Sequence, residues 1–221
     1  MSREFPGSKA KTSALLCPIE QKIVHKFVGK IPKSIETYHL TLMTVLWCPL
    51  ILIFYYLARQ DLRWLWLASL MIILQYVTDL FDGAVGRYRN TGLIRWGYYM
   101  DHFLDYVFLC CILIGYSFIL HEKQTYWLFF VLAIGGAYMV NSFLLYSALD
   151  KVKYEYLKIG PTEVRLSFII INILLSVFGR TNLAAIVPYA LGLALIGLIW
   201  VVYSTQKIVW EYDIKIKKKL K

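Results

Sequence analysis

Acidic residues are scarce in this chain, which has 14 Asp and Glu against 24 Lys and Arg. Hydrophobic residues make up 59% of it, whereas soluble domains average roughly 45–50%. This composition excludes an ordinary soluble domain and indicates an integral membrane protein. A net charge of +10 would point to nucleic acid if the protein were soluble. Here basic loops that anchor membrane helices explain the charge, so we expect no nucleic-acid partner.

Cysteine is also rare, and the sequence has only Cys17, Cys48, Cys110 and Cys111. None of them belongs to a CxxC pair, and no His lies at a zinc-like spacing from them, which argues against a zinc or redox site. The sequence contains no N-x-S/T acceptor site, so nothing indicates a glycosylated face.

Six long apolar runs predict six transmembrane helices, because about 20 apolar residues cross a bilayer core of about 30 Å. The predicted fold class is therefore an all-α membrane protein. Residues 38–210 form the six-helix domain, and a basic tail follows at 211–221. Within residues 1–37, the stretch IEQKIVHKFVGKI alternates apolar and basic residues at near-helical spacing. That stretch predicts an amphipathic juxtamembrane helix on an anionic leaflet.

The distribution of Lys and Arg predicts the orientation of these helices. Six spans place both termini on one side of the membrane. The two terminal segments, the loop between spans 2 and 3 and the loop between spans 4 and 5 carry twenty Lys and Arg, whereas the opposite loops carry four. Because basic loops stay inside, we expect both termini to be cytoplasmic.

The few acidic residues include two pairs that flank the loop between the second and third spans. Asp79 and Asp82 are spaced i, i+3, and Asp101 and Asp105 are spaced i, i+4, so each pair lies on one face of its helix. A short turn near residues 90–92 would bring the two pairs together. Four convergent carboxylates repel one another, and such a cluster needs cations. The sequence therefore predicts a divalent-metal site at the cytoplasmic edge of the membrane.

A cation transporter is the alternative from another functional class, since acids inside membrane spans can line an ion path. The acids of this chain cluster at one edge, however, and no matching carboxylates continue across the bilayer. This distribution favours an enzyme.

Written as spacing, residues 79–105 read D-x2-D-G-x2-G-R-x9-G-x3-D-x3-D. The pattern resembles the signature of the CDP-alcohol phosphatidyltransferase family, D-x2-D-G-x2-A-R-x8/9-G-x3-D-x3-D. It departs at one position, where the small Ala of the family is Gly86. The six-span layout extends the resemblance over about residues 38–210.

The resemblance implies a phospholipid-synthesis enzyme in which an alcohol attacks a CDP-linked substrate and CMP is released. It implies two divalent ions, Mg²⁺ or Mn²⁺, bound by the aspartates, with the fourth aspartate also activating the acceptor hydroxyl. By matching position, the metal residues are Asp79, Asp82, Asp101 and Asp105, the catalytic residue is Asp105, and the CDP moiety contacts Gly83, Gly86, Arg87 and Gly97. It also implies membrane lipid and a second copy of the chain, in a homodimer, as partners.

The identity of the two substrates stays open at this stage. The compact six-span length favours CDP-diacylglycerol as donor. The sequence DHxxD at Asp101–Asp105 instead resembles the choline and ethanolamine phosphotransferase branch, which uses a CDP-amino-alcohol and diacylglycerol. Glu163 and Arg165, at the start of the fifth span, are candidates for the acceptor pocket, and a helix-capping role is the competing interpretation.

Overall fold

The fold consists of helices because lipid cannot pair with backbone amides, so each apolar run must satisfy its hydrogen bonds within itself. The computed structural model describes residues 16–90, 93–149, 160–179 and 183–219, and these contain no strand. The helices are α1 (Cys17–Phe27), α2 (Thr37–Leu57), α3 (Leu65–Arg89), α4 (Ile94–Ile119), α5 (Glu122–Leu149), α6 (Pro161–Phe178) and α7 (Leu183–Lys219). The predicted amphipathic helix corresponds to α1. The first part of the N-terminal segment, at 1–15, and the basic loop at 150–159 lie outside the described residues.

Six of these helices are long and apolar enough to cross a membrane, which confirms the predicted fold class. The candidate spans are Thr37–Leu57, Leu62–Arg89, Arg95–Ile119, Gln124–Leu149, Pro161–Phe178 and Val187–Lys218. The protein is therefore a multi-pass integral membrane protein. The described part of the basic tail extends α7 as a continuous helix to Lys219.

The packed centre of the domain lies among α2, α3, α4 and α6. Tyr55 of α2 is fully buried there and donates a hydrogen bond to Asn172 Oδ1 of α6 at 2.8 Å. Asn172 Nδ2 in turn donates to Ser69 Oγ of α3 at 3.2 Å. A side chain at Gly115 of α4 would place its Cβ 2.4 Å from the Tyr55 ring, so this glycine allows α2 and α4 to approach closely.

Helix α5 packs between α4 and α7 at one side of this centre. Its Gly135 faces α4, where an added Cβ would lie 3.2 Å from Leu109 Cδ2. Helix α7 exposes a row of large apolar side chains, including Tyr189, Leu193 and Ile196. Exposed apolar side chains on a membrane helix are suited to contact with lipid.

Candidate active site

The two acidic pairs lie on consecutive helices, as their spacing predicts. Helix α3 carries Asp79 and Asp82 and ends at Arg89, after which Asn90 adopts the left-handed conformation with φ 54° and ψ 44°. This conformation ends helices, and Asn tolerates it better than most residues. Helix α4 then begins at Ile94 and carries Asp101 and Asp105 in its first half. Thr91 and Gly92 of the predicted connection lie outside the described residues.

The four carboxylates form one electrostatic cluster. Asp79 and Asp101 interact directly across the two helices, and Asp101 and Asp79 both act on Asp82 and Asp105. Asp82 is buried, while between a fifth and a third of the side-chain surface of each of the other three is exposed. The helices thus place the carboxylates of α3 and α4 near one another in a partly open site, and their assignment as metal ligands stays a prediction.

Arg165 of α6 is the counter-charge of this cluster. Its Nη2 atom lies 2.6 Å from Asp105 Oδ1 and 2.9 Å from Asp79 Oδ2. Its Nε atom donates to the buried Gln75 Oε1 at 2.9 Å, and its guanidinium carbon lies 5.6 Å from the centre of the Phe108 ring. The side chain is only 6% exposed. Three helices therefore converge on one buried guanidinium.

Glu163, the other candidate for the acceptor pocket, lies in the first turn of α6 and accepts hydrogen bonds from two backbone amides. Its Oε2 atom accepts from Gly160 N at 2.8 Å, and its Oε1 atom accepts from Leu16 N at 3.2 Å. An acidic side chain in the first turn pairs with amides that the helix itself leaves unpaired. The Gly160 contact makes Glu163 a capping residue of α6, and the Leu16 contact links α6 to the residue before α1. The role of Glu163 towards an acceptor stays a prediction.

The glycines and Arg87 lie on the face of α3 that carries Asp79 and Asp82. Gly83 N donates to Asp82 Oδ1. A Cβ on Gly83 would lie 3.2 Å from Arg87 Nη1, so the absence of a side chain leaves room for the guanidinium. Arg87 is exposed, and Gly86 accepts the capping hydrogen bond of Asn90.

Gly97, the remaining predicted CDP contact, lies in the first turn of α4, one turn before Asp101. Its backbone N–H donates to Leu93 O at 2.8 Å. A Cβ built on Gly97 would meet nothing within 4 Å, so open space adjoins the helix there.

The site also contains two polar residues that the spacing of the motif did not reveal. Thr41 of α2 is buried and donates to Asp82 Oδ2 at 2.9 Å. The buried Gln75 lies one turn before Asp79 and contacts Arg165. The only signal in the sequence is that each is a polar residue in an apolar span, a feature that marks function or internal pairing.

His102 is buried beside the cluster. Its Nδ1 atom lies 3.3 Å from Asp101 Oδ2, and its ring packs against Tyr98 and Phe143, with ring centres 4.1 Å and 4.9 Å apart. The aromatic neighbours fix the position of the imidazole next to the aspartate.

The donor set of the cluster fits a hard divalent cation, because its oxygens come from carboxylates and one guanidinium leaves negative charge in excess. In this structure, no three Asp, Glu, His or Cys side chains among the described residues stand where they could hold an ion. Arg165 engages oxygens of Asp79 and Asp105 that a metal would need. The metal ligands therefore stay a prediction that the donor chemistry supports.

Comparison with known proteins gives one match. A family model described as CDP-alcohol phosphatidyltransferase matches residues 37–204, which include the two acidic helices and Arg165. Neither the curated proteins nor the solved structures that were compared with the chain gave a match.

Proposed function

This chain belongs to the CDP-alcohol phosphatidyltransferase family, and from that premise we propose that it transfers a phosphatidyl group from CDP-diacylglycerol to an alcohol. Membership makes it a membrane transferase of phospholipid synthesis that acts on a CDP-linked substrate, and this family uses divalent metal. The observation that carries the proposal is that the guanidinium of Arg165 lies 2.9 Å from Asp79 of α3 and 2.6 Å from Asp105 of α4, so one carboxylate from each acidic pair reaches the same point.

In the proposed reaction, the hydroxyl oxygen of the acceptor forms a bond to the β-phosphorus of the donor. The bond from that phosphorus to the bridging oxygen breaks, and CMP leaves with the electron pair. Asp105 accepts the hydroxyl proton, since a positioned carboxylate can act as a general base. Its contact with Arg165 holds the carboxylate in a fixed position.

The residues on the acidic faces then have separate tasks. Asp79, Asp82 and Asp101, together with Asp105, would hold the divalent metal. When bound, Mg²⁺ or Mn²⁺ supplies positive charge that neutralises the diphosphate and stabilises the leaving CMP.

The CDP moiety would lie along the other motif residues. Arg87 would contact a diphosphate oxygen, because a guanidinium recognises phosphate through two parallel hydrogen bonds. Gly83, Gly86 and Gly97 would allow the CDP moiety to approach the helix backbones. The open space beside Gly97 and the exposure of Arg87 support this assignment.

A second candidate reaction uses a CDP-amino-alcohol as donor and diacylglycerol as acceptor. The buried His102, 3.3 Å from Asp101, favours it, because a DHxxD sequence resembles that branch of the family. The chemistry at the β-phosphorus and the role of Asp105 are the same in both reactions. Only the partner that carries the lipid differs.

Donor and acceptor can be identified together with purified protein in mixed micelles. Each of CDP-diacylglycerol and CDP-amino-alcohols is paired with a panel of alcohols that includes diacylglycerol, and CMP release is measured in Mg²⁺ or Mn²⁺. We expect release with CDP-diacylglycerol and one water-soluble alcohol. Release only with a CDP-amino-alcohol and diacylglycerol would establish the second candidate, and no release with any pair would contradict both.

We also propose that both termini and the site face the cytoplasm and that the chain forms a homodimer. The excess of Lys and Arg on one side supports the orientation. Labelling of terminal tags in sealed cells and cross-linking in native membranes test the two proposals separately.

A further inference from the structure

Helix α1 and the short turn that follows it pack against the acidic half of α3. Val24 and Val28 pack against Ala84 and Val85 of α3. Farther along, Arg89 at the end of α3 donates hydrogen bonds to backbone carbonyls in residues 31–35, at distances from 2.5 to 3.1 Å. The segment that joins α1 to α2 is therefore held against the last part of α3, between Ala84 and Arg89.

Glu20 connects the first turn of α1 to two different helices of the membrane domain. Its Oε1 atom accepts from Tyr76 OH of α3 at 2.7 Å and from Thr162 Oγ1 of α6 at 2.5 Å. The backbone N–H of Leu16, the residue just before α1, donates a hydrogen bond to Glu163 of α6. A single carboxylate oxygen thus ties α1, α3 and α6 together.

Both partners of Glu20 lie one helical turn from residues of the site. Tyr76 precedes Asp79 by three residues on α3, and Thr162 precedes Arg165 by three residues on α6, so each pair shares a helix face. Tyr76 and Arg165 also interact electrostatically. The Glu20 contacts therefore lie about one helical turn from Asp79 on α3 and from Arg165 on α6.

We propose that Glu20 is a positioning residue for the acceptor side of the site. By holding Tyr76 and Thr162 together, it fixes the start of α6 against α3 at the separation from which Arg165 reaches both aspartates. It also holds α1 against both α3 and α6. This inference rests on the proposed function and on the prediction from the sequence that Arg165 belongs to the acceptor pocket.

The geometry assigns the action of Glu20 to its hydrogen bonds rather than to its charge. Both bonds end on the same oxygen, Oε1. A Gln side chain keeps an oxygen at that position and can accept both bonds, whereas Ala removes them. The pair of variants therefore separates positioning from a direct contact of a negative charge with substrate.

Kinetics with the active donor and acceptor pair form the first arm of the test. We expect Glu20→Ala to raise the KM for the acceptor about tenfold, the size of one lost hydrogen bond to a charged group, with the KM for the donor unchanged. In Glu20→Gln, the KM for the acceptor should stay close to that of the unmodified chain. Glu211→Ala removes an exposed carboxylate of α7 and serves as the matched control. An acceptor KM that Glu20→Ala leaves unchanged would overturn the proposal, and so would equal defects in the Ala and Gln variants.

The second arm needs no turnover, because Cys17 reports the docking of α1. Cys17 is 6% exposed in the docked helix. Its modification by a maleimide in detergent micelles is followed by peptide mass spectrometry, with Cys110 as internal reference. We expect Glu20→Ala to accelerate labelling of Cys17 about tenfold, since weaker contacts raise the population of the undocked helix. Glu20→Gln should label as slowly as the unmodified chain.

The two arms distinguish failure of this inference from failure of the proposed function. If no donor and acceptor pair gives CMP, the proposed function fails, and equal labelling of Cys17 in all variants would show separately that Glu20 does not dock α1. If the unmodified chain is active and both Glu20 variants match it in acceptor KM and in labelling, the function stands and the positioning role is wrong.

Discussion

Arg165 Nη2 lies 2.6 Å from Asp105 Oδ1, so the proposed general base forms a partly buried ion pair with a residue of a helix that comes much later in the chain. Arg165 also contacts Asp79, which makes it a shared cation for the two acidic helices. In a site of low polarity, a carboxylate without a counter-charge is costly. The guanidinium therefore stabilises the cluster when no metal is bound.

The first prediction concerns this counter-charge. Arg165→Ala leaves Asp79 and Asp105 unpaired, so we expect a loss of about 3–5 kcal/mol in stability, as for other broken buried pairs. Added Mg²⁺ should recover part of that loss, because it neutralises the same carboxylates. Thermal unfolding in detergent with and without Mg²⁺ measures both effects.

Arg63→Ala is the control for this variant. Its partner is Asp61, and the pair is exposed, with 86% of the Arg63 side-chain surface accessible. Exposed ion pairs contribute about 1 kcal/mol or less to the free energy of unfolding, so Arg63→Ala should change stability little. If Arg165→Ala destabilises the protein equally in Mg²⁺ and in chelator, then the metal and the guanidinium do not share the carboxylates.

The second prediction concerns the four aspartates. Replacing any one of Asp79, Asp82, Asp101 or Asp105 with Asn removes a charged ligand, and we expect nearly complete loss of CMP release in a protein that still folds. Excess chelator should abolish release by the unmodified chain as well. Asp213→Asn, an exposed position on α7, is the control. Full activity in any of the four variants would remove that residue from the metal site.

The sequence predicts the parts of this site that depend on local spacing. The pairing of Asp79 with Asp82 follows from helix periodicity, and the length of the apolar runs follows from the thickness of a bilayer. Contacts between distant segments have no such local pattern. Thr41 is 41 residues from Asp82, and Arg165 is 60 residues from Asp105, so only the packing of α2 and α6 reveals those contacts.

Glu20 and Glu163 illustrate the same limit. The spacing of Glu163 in the first turn of α6 fits a cap, and the structure gives it backbone partners there. Glu20 lies in a stretch that reads as a membrane-surface helix, and nothing in that stretch indicates a hydrogen bond to Thr162, 142 residues away. Local periodicity identifies the helix, while the tertiary fold decides which of its side chains reach the site.

The third prediction tests Thr41 as the residue that orients Asp82. Thr41→Val keeps the shape of the side chain and removes the donor, so Asp82 loses its 2.9 Å hydrogen bond. We expect CMP release to fall about tenfold, equivalent to roughly 1.4 kcal/mol, and Thr41→Ser to retain most of it. Thr44→Val, equally buried one turn along α2, should have little effect. Similar losses in both Val variants would indicate general damage to α2 instead.

The fourth prediction concerns Arg87 and the diphosphate of the donor. Arg87→Lys keeps the charge but loses the planar pair of donors, so we expect the KM for the CDP-linked donor to rise about tenfold with acceptor KM unchanged. Gly83→Ala should give the same selective defect, because its Cβ would lie 3.2 Å from Arg87 Nη1 and displace the guanidinium. Steady-state kinetics with each substrate varied in turn measure both constants. Arg95→Lys, an exposed position near the start of α4, is the control. An unchanged donor KM in Arg87→Lys would indicate that Arg87 does not bind the diphosphate and serves only as a basic residue that orients the loop in the membrane.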